Sequence, residues 1–500
     1  VNLTMSFFSK KEVGKHNKES DCWIIVNNKV YDVTDFLDGH PGGKNVIMRY
    51  AGKDASEEFN VLHNVRVLAK YAKLCIGNVE GYSEPAAKPD TFDVSKKYGE
   101  QVSFGDPYWY QGLKSPFYKE THAKFRAKVR HFVETELSPY VQEWDEKGTY
   151  PPELHKKAYD YGVLGSMWPE KYGGTPPEGC DVFHDLILWD ELSRCSGGGV
   201  LAAVFVSSTI ALPCILDYGS EEQKNTVARN VITGKSIICL GISEPYAGSD
   251  VASLRTTAKK DGDHYIINGE KKFITSGTKA DYFLVACRTG SKGMFGISLI
   301  LLHKGMPGLN ARRQKTQGWW TSNTAYLTFE NVRVPCSHLV GKENQGFIPI
   351  MHQFNHERFL GMVGANRGAR VCLEEAVRFS RLRKTFGRKL INHQVIKHKV
   401  AEMTRQIESN HAMIELVAYQ MTQGVDQRRL GALTALIKVQ CTKTMEFCAR
   451  EASQIMGGNS YIRGGVGERI ERIYREVRVS AIGGGSEEVM LELAMRQSKL

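Results

Sequence analysis

The feature that most constrains how this chain can fold is a double change of texture along its length. From about Lys119 to Val231, apolar residues recur at helical spacing, in runs at Lys119–Glu136, Glu153–Tyr161, Asp181–Ser193 and Val200–Leu216. Between Ser236 and Val334 the pattern turns to short alternating or β-rich runs. Tyr265–Ile267, Tyr282–Ala286, Ile297–Leu302 and Thr324–Phe329 are the clearest, parted by Asp-Gly, Asn-Gly and Pro-Gly turns. From Gln345 helical spacing returns through Ile348–Phe379, Gln394–Gln423 and Leu430–Met456. Two helical units therefore flank a sheet unit, with boundaries expected at 108–237, 238–340 and 341–500. Ahead of them, residues 1–80 read as a small mixed unit with apolar runs at Trp23–Val26 and Val30–Val33. Helical patterns follow at Asn45–Tyr50, Ala55–Phe59 and Arg66–Tyr71. Residues 81–107, with Pro85, Ala86, Ala87, Lys88 and Pro89, read as a linker. A flexible tether of about 20 residues spans roughly 25 Å.

Composition removes several function classes. The net charge of +11 comes from Lys and Arg residues mixed with acids, which fits a solvated basic surface better than a nucleic-acid stripe. Eleven cysteines occur without a CxxC pair, as expected of reduced intracellular thiols rather than a disulfide frame or a zinc site. The longest apolar stretch, Val200–Leu216, is interrupted by Ser207, Ser208, Thr209 and Pro213 and reads as a core helix, not a membrane span. No secretory signal precedes Met5, and the N-terminal pattern begins too early to leave room for a mitochondrial presequence.

In the small unit, His40 stands in His40-Pro41-Gly42-Gly43, and His63 follows one helical pattern later. Two neutral imidazoles suit a haem iron that passes electrons, because they fill both axial positions and leave none for oxygen. With the preceding stretch Cys22-Trp23-Ile24-Ile25-Val26-Asn27-Asn28-Lys29-Val30-Tyr31-Asp32-Val33-Thr34, this unit closely resembles the cytochrome b5 family over roughly residues 6 to 80. The resemblance implies a small α+β fold, haem b, and His40 and His63 as the iron ligands on facing loops. His16 reads as structural.

The rest of the chain carries three further motifs. Gly241-Ile242-Ser243-Glu244-Pro245-Tyr246-Ala247-Gly248-Ser249-Asp250 is followed by Tyr265 through Phe273-Ile274-Thr275-Ser276-Gly277. Next comes Arg383-Lys384-Thr385-Phe386-Gly387 with His393-Gln394, and then Gln454-Ile455-Met456-Gly457-Gly458-Asn459. In all three, residues 110 to 495 are similar to the acyl-CoA dehydrogenase family. The resemblance implies a helical domain, a barrel-like sheet domain and a C-terminal four-helix bundle. It also implies an FAD site. Ile242 and Ser243 would lie at the flavin pyrimidine edge, and Phe273, Ile274 and Thr275 beside the ring system. Ser249 would face both the flavin phosphates and the acyl-CoA. Arg383, Thr385, Phe386, His393 and Gln394 would serve the FAD diphosphate, for which a guanidinium fork is suited. Gln454, Ile455, Met456, Gly457 and Gly458 would hold the adenosine end. In the family the arginine-bearing segment reaches across a subunit interface, which implies a homo-oligomer, a dimer or a tetramer.

The general base sits in an unusual place. The common family pattern near the C-terminus is Tyr-Glu-Gly-Thr, but here the matching stretch is Ala481-Ile482-Gly483-Gly484-Gly485-Ser486-Glu487-Glu488, with Gly483 at the glutamate position. Read alone, this describes a silent acyl-CoA binder. The long-chain and isovaleryl branches also have a small residue there and carry the base on an earlier helix. Asn355-His356-Glu357-Arg358 occupies that place here, so Glu357 is the expected base, with Asn355 and Arg358 near the CoA. Gly483 would supply a backbone N–H to the thioester carbonyl. Gly484, Gly485, Ser486 and Glu487 would fall among the flavin contacts.

The expected activity is flavin-dependent α,β-dehydrogenation of a fatty acyl-CoA to trans-2-enoyl-CoA, in peroxisomal β-oxidation. Electrons would pass to the fused haem and on to an unknown acceptor. Oxidase turnover with oxygen, a silent electron carrier and nitroalkane-type flavin chemistry are the alternatives. Ser498-Lys499-Leu500 matches the tripeptide read by the peroxisomal import receptor.

Overall fold

The computed structural model describes residues 6–63, 67–82 and 102–498. Most of the linker expected at 81–107, together with Lys499 and Leu500, lies outside the described residues. The N-terminal unit is a five-stranded sheet of β1 (Ser6–Phe8), β2 (Asn17–Lys18), β3 (Asp21–Val26), β4 (Lys29–Asp32) and β5 (Cys75–Val79), in the order β1-β5-β4-β3-β2. β3 and β4 form a hairpin whose turn residues Asn27 and Asn28 have φ of 52° and 63°. Two consecutive left-handed residues are what a tight hairpin turn needs, and asparagine tolerates them. Helices α1 (Lys44–Met48) and α2 (Ser56–Leu62) complete the unit, with Cys22, Val26, Tyr31, Leu37 and Ile47 in its core.

In the next unit, α3 (Glu120–Phe132) and α4 (Val182–Ser193) share one large core with the C-terminal helices, while α5 (Ser207–Tyr218) packs Ala211, Leu212 and Ile215 against the sheet unit. Asp181 caps α4 by accepting from the backbone N–H groups of Phe183 and His184. Gly198–Tyr218 is the one stretch among the described residues long and apolar enough to cross a membrane, and most of it is buried inside the protein. Its polar interruptions are absorbed locally, since the Ser208 and Thr209 hydroxyls donate to Phe205 O.

The sheet unit comprises β6 (Ile238–Gly241), β7 (Thr257–Asp261), β8 (His264–Ile274), β9 (Tyr282–Arg288), β10 (Ile297–His303), β11 (Leu309–Arg313), β12 (Ala325–Pro335) and β13 (Leu339–Val340). The order is β11-β12-β8-β7-β9-β10-β13, with β6 added parallel to β9. Its ends, β11 and β13, do not pair with each other, so the barrel-like sheet is open. Successive residues of β9 alternate between two cores, Leu284 and Ala286 on one face and Phe283, Val285 and Cys287 on the other. Both faces are covered, which is why the strand reads as continuous apolar sequence.

The C-terminal unit is a bundle of α6 (Phe347–Leu382), α7 (Gln394–Thr422), α8 (Gln427–Met456) and α9 (Glu468–Ile482), with α10 (Glu487–Gln497) packed on α8. Between α6 and α7 a small hairpin is made by β14 (Lys384–Thr385) and β15 (Arg388–Lys389). Gly368 lets α6 and α8 come close, as a Cβ there would fall 2.7 Å from the Met445 sulfur. A buried ionic network joins α3, α4 and α6. Arg130 donates to Asp106 at 2.9 Å and to Glu191 at 2.6 Å, Arg126 donates to Glu191 at 2.9 Å, and Arg367 pairs with Asp190. Burial pushes the Asp106 and Glu191 carboxyls up, but the surrounding guanidinium groups outweigh it and hold both well below the usual range.

The N-terminal unit touches the rest lightly. Glu57 on α2 lies 3.5 Å from Lys384, and Lys70 lies 3.1 Å from Glu143. The carbonyl of Leu62 sits 3.8 Å from where Gly465 would carry a Cβ.

Candidate active site and haem pocket

His40 enters α1 through Pro41-Gly42-Gly43, and His63 is the residue that ends α2. Their rings face each other with centroids 5.9 Å apart and planes at 73°. A metal held at about 2 Å from one nitrogen of each imidazole sets the centroids roughly 6 Å apart. His40 Nδ1 lies 3.2 Å from Gly43 O; donating there, it leaves Nε2 as the free lone pair. Burial lowers the pKa of His63 and the neighbouring His40 adds to the effect, which favours the neutral, metal-binding form. A Cβ at Gly42 would fall 2.8 Å from His40 Cε1, so only glycine lets the ring fold back over its turn. Phe36 and Phe59 flank the two imidazoles. The residues fit a bis-histidine haem.

The sheet brings the first flavin segment together. Lys271, fully buried in β8, donates to Ile242 O at 3.0 Å and to Glu244 at 2.7 Å, bracing the turn after β6. Lys272 N–H donates to Ser243 O at 2.8 Å, so Ile242, Ser243, Phe273, Ile274 and Thr275 lie side by side. Ile242 and Ile274 are buried, their side chains turned into the core. Phe273 is 61% exposed at φ 65°, a left-handed position that an aromatic residue adopts only under local constraint. The Ser243 and Thr275 hydroxyls have no hydrogen-bond partner among the described residues and are not sealed off. An exposed aromatic face beside free hydroxyls and backbone fits a flat heteroaromatic ring. Ser249 is exposed on the same turn.

Glu357 lies in the first third of α6, within a recess closed by the loop between α9 and α10. Its carboxyl carbon is 3.8 Å from the Cβ position of Gly484. Arg358 donates to Gly484 O at 3.0 Å and to Asn355 Oδ1 at 2.8 Å. Lys438, a residue sequence reasoning missed, is 1% exposed and donates to Ala481 O at 2.9 Å and Gly485 O at 2.8 Å. It straps both ends of the loop. Burial raises the Glu357 pKa against the opposing pull of Arg358, Lys438 and His356. Burial also brings Lys438 down to about 8, although Glu487 and Glu357 pull it the other way. Glu487 accepts from the Thr442 hydroxyl at 3.2 Å at the start of α10, next to the Ser486 cap. One expectation is corrected. The Gly483 N–H donates to Val479 O at 2.8 Å, closing the last turn of α9, so it is not free for a thioester carbonyl. The next N–H, of Gly484, has no partner among the described residues.

At His356, the residue before Glu357 on α6, a cavity of about 400 Å³ opens between α4, α5 and α6. Leu164, Trp168, Leu188, Trp189 and Phe205 line it, with Asp185 and His356 as a pair at 2.7 Å.

The remaining predicted residues gather at the other end of the bundle. Arg383 is exposed on the hairpin side of α6, the Thr385 hydroxyl lies 3.2 Å from His393 Nε2, and Gln394 begins α7. Phe386 is 96% exposed at φ 50°. Gln454, Gly457 and Gly458 are exposed, but Ile455 and Met456 are turned into the core and can offer a ligand only their backbone. At about 1.5 Å per helical residue, Arg383 stands about 40 Å along α6 from Glu357. One flavin cannot meet both ends in a single chain.

Comparison with known proteins bears on both halves. Residues 9–80 match the cytochrome b5-like heme/steroid binding domain. Residues 119–235, 239–332 and 344–499 match the N-terminal, middle and C-terminal domains of acyl-CoA dehydrogenase. The chain is 38% identical over 422 residues to acyl-CoA dehydrogenase AFT10-1 of Alternaria alternata, across 81% of this chain and 98% of that one. It is 35% identical over 393 residues to the mitochondrial long-chain specific acyl-CoA dehydrogenase of Sus scrofa, across 77% and 88%. The crystal structure of acyl-CoA dehydrogenase from Geobacillus kaustophilus is similar with a TM-score of 0.73 at 32% identity, covering 77% of this chain and all of that one. Butyryl-CoA dehydrogenase from Megasphaera elsdenii gives 0.71 at 29%, covering 78% and 100%. Together with the pocket and groove geometry, these matches show that the chain belongs to the acyl-CoA dehydrogenase family, as an FAD-dependent oxidoreductase with a fused haem-binding cytochrome b5-like domain.

Proposed function

We propose that the chain dehydrogenates a fatty acyl-CoA to the trans-2-enoyl-CoA, with Glu357 as the base. The observation that carries this is the place of Glu357, in the recess under Gly484 and next along α6 to His356, which lines an apolar cavity of a size for an acyl chain. Its raised pKa suits a group that takes a proton from a weak carbon acid. The Gly484 N–H is the backbone donor proposed for the thioester carbonyl, where charge develops as the proton leaves. Arg358 and Asn355 sit at the recess to meet the CoA moiety. Bound FAD supplies hydride acceptance from the β-carbon, and bound haem supplies one-electron uptake.

Three further readings accompany this one. The fused haem domain is the proposed outlet for electrons, supported by its bis-histidine geometry. A homo-oligomer sharing FAD sites is supported by the separation of Arg383 from Glu357 and by the exposed Phe386, Tyr461 and Ile462. A peroxisomal address is supported by Ser498-Lys499-Leu500, and a fluorescent fusion ending in these residues, imaged with and without the leucine, tests it.

Anaerobic stopped-flow with acyl-CoA tests the chemistry. Glu357→Gln is expected to slow flavin bleaching by about 10²- to 10⁴-fold while acyl-CoA still binds. Unchanged bleaching would remove Glu357 as the base. In the wild type, haem reduction is expected to follow flavin bleaching; bleaching with the haem left oxidised would remove the relay and keep the dehydrogenase.

A further inference from the structure

The cavity at His356 has one feature that a plain hydrocarbon chain does not need. Asp185 on α4 and His356 on α6 meet in its wall, Oδ2 to Nε2 at 2.7 Å. Among the described residues each makes its only hydrogen bond to the other. Asp185 Oδ1 and His356 Nδ1 are thus without a protein partner, and neither is sealed from open space. Asp185 is only 7% exposed, so the cavity is where its free oxygen finds company. The carboxylate and hydroxyl groups elsewhere in the wall are already engaged. Asp181 caps α4 and accepts from His122 at 2.9 Å, while the Ser208 and Thr209 hydroxyls donate to Phe205 O.

An ion pair that only clamped two helices would gain from being packed over with methylenes, and this one is not. An alkyl chain filling the cavity would strip water from Oδ1 and return no hydrogen bond. Burial lowers the His356 pKa, but the Asp185 carboxylate outweighs it and the ring is held protonated to higher pH than usual. Nδ1 lies across the ring from the bond to Asp185, so Oδ1 is the acceptor left at the cavity wall. A hydroxyl group carries a proton to donate and so answers it.

We propose that the preferred substrate is an acyl-CoA whose chain carries a hydroxyl group, seated against Asp185 and His356 beyond the reacting carbons. This rests on the cavity being the acyl site.

The test compares saturated fatty acyl-CoAs with their monohydroxy derivatives, the hydroxyl walked along the chain past the β-carbon. The readout is kcat/KM for anaerobic flavin bleaching by the full-length, cofactor-loaded protein. One hydroxyl position is expected to exceed its parent by about tenfold or more. The double variant Asp185→Leu/His356→Leu, which leaves neither partner orphaned, is expected to lose that preference. Parents that match or beat every hydroxy derivative in the wild type would overturn the inference and leave the dehydrogenase standing. Bleaching by none of the acyl-CoAs would overturn both. The wild-type comparison decides even if the double variant fails to fold.

Discussion

Lys438 bears on the charge state of Glu357, the proposed base, as well as on its cover. Its ammonium group holds the loop between α9 and α10 by two carbonyls and places a positive charge near Glu357. Removing that charge takes away a stabiliser of the carboxylate, so the Glu357 pKa, already raised, moves further up. Lys438→Met is therefore expected to shift the acid limb of the pH profile for flavin bleaching to higher pH, and Lys438→Arg to shift it back. A limb that stays put would reduce Lys438 to a brace. At the haem, Gly42→Ala is expected to abolish stoichiometric haem binding, read from the absorbance spectrum, because the methyl group and the His40 ring claim the same space. How much of this was legible varied with the residue. His40 and His63 were visible because the turn and spacing are local, and Glu357 because its neighbours form a motif. Lys438 offered one weak signal, a lone cation in Ala435-Leu436-Ile437-Lys438-Val439. Asp185 and His356 offered none, since their partnership spans 171 positions and depends on how two helices cross.

At the level of elements, the ionic network fixes how α3, α4 and α6 meet. Glu191 is fully buried and answers two arginines of α3, so Glu191→Gln is expected to cost about 3–5 kcal/mol by leaving guanidinium groups uncompensated. Denaturant unfolding of the loaded protein checks it, and a loss well under 1 kcal/mol would show that the arginines find other partners. The sign with pH follows from the depressed carboxyl pKa values. The network's contribution is complete above the ordinary carboxylate range near pH 4 and is lost as pH falls below it. The same arginines explain why some elements were hard to read. The long helices α6, α7 and α8 announced themselves through apolar periodicity. α9 was passed over although Ile470, Ile473, Val477 and Ala481 recur on its buried face, because it is short and charged residues surround them, Arg469 and Arg472 even within that face. α10 is short and begins in acids, so its amphipathic stripe is brief.

On the scale of the whole molecule, the ion pairs that join the haem domain to the rest among the described residues are exposed ones, Glu57–Lys384 and Lys70–Glu143. Such pairs are each worth about 0–1 kcal/mol and weaken with salt. Raising ionic strength is expected to slow the haem-reduction phase several-fold while flavin bleaching keeps its rate. Equal sensitivity of both phases would place the relay elsewhere. The domain order was legible from texture alone, but the docking was not, because it rests on surface charges with no pattern around them. One consequence lies in the length of α6. It is a stiff rod with Glu357, the proposed base, near one tip and, at the other, the hairpin against which the haem domain leans. In a lone subunit that rod is an insulator, too long for electrons to tunnel across at useful speed. Only association, by bringing one subunit's far tip to another's flavin, would turn the insulator into a circuit, so dilution to monomers is expected to silence the haem.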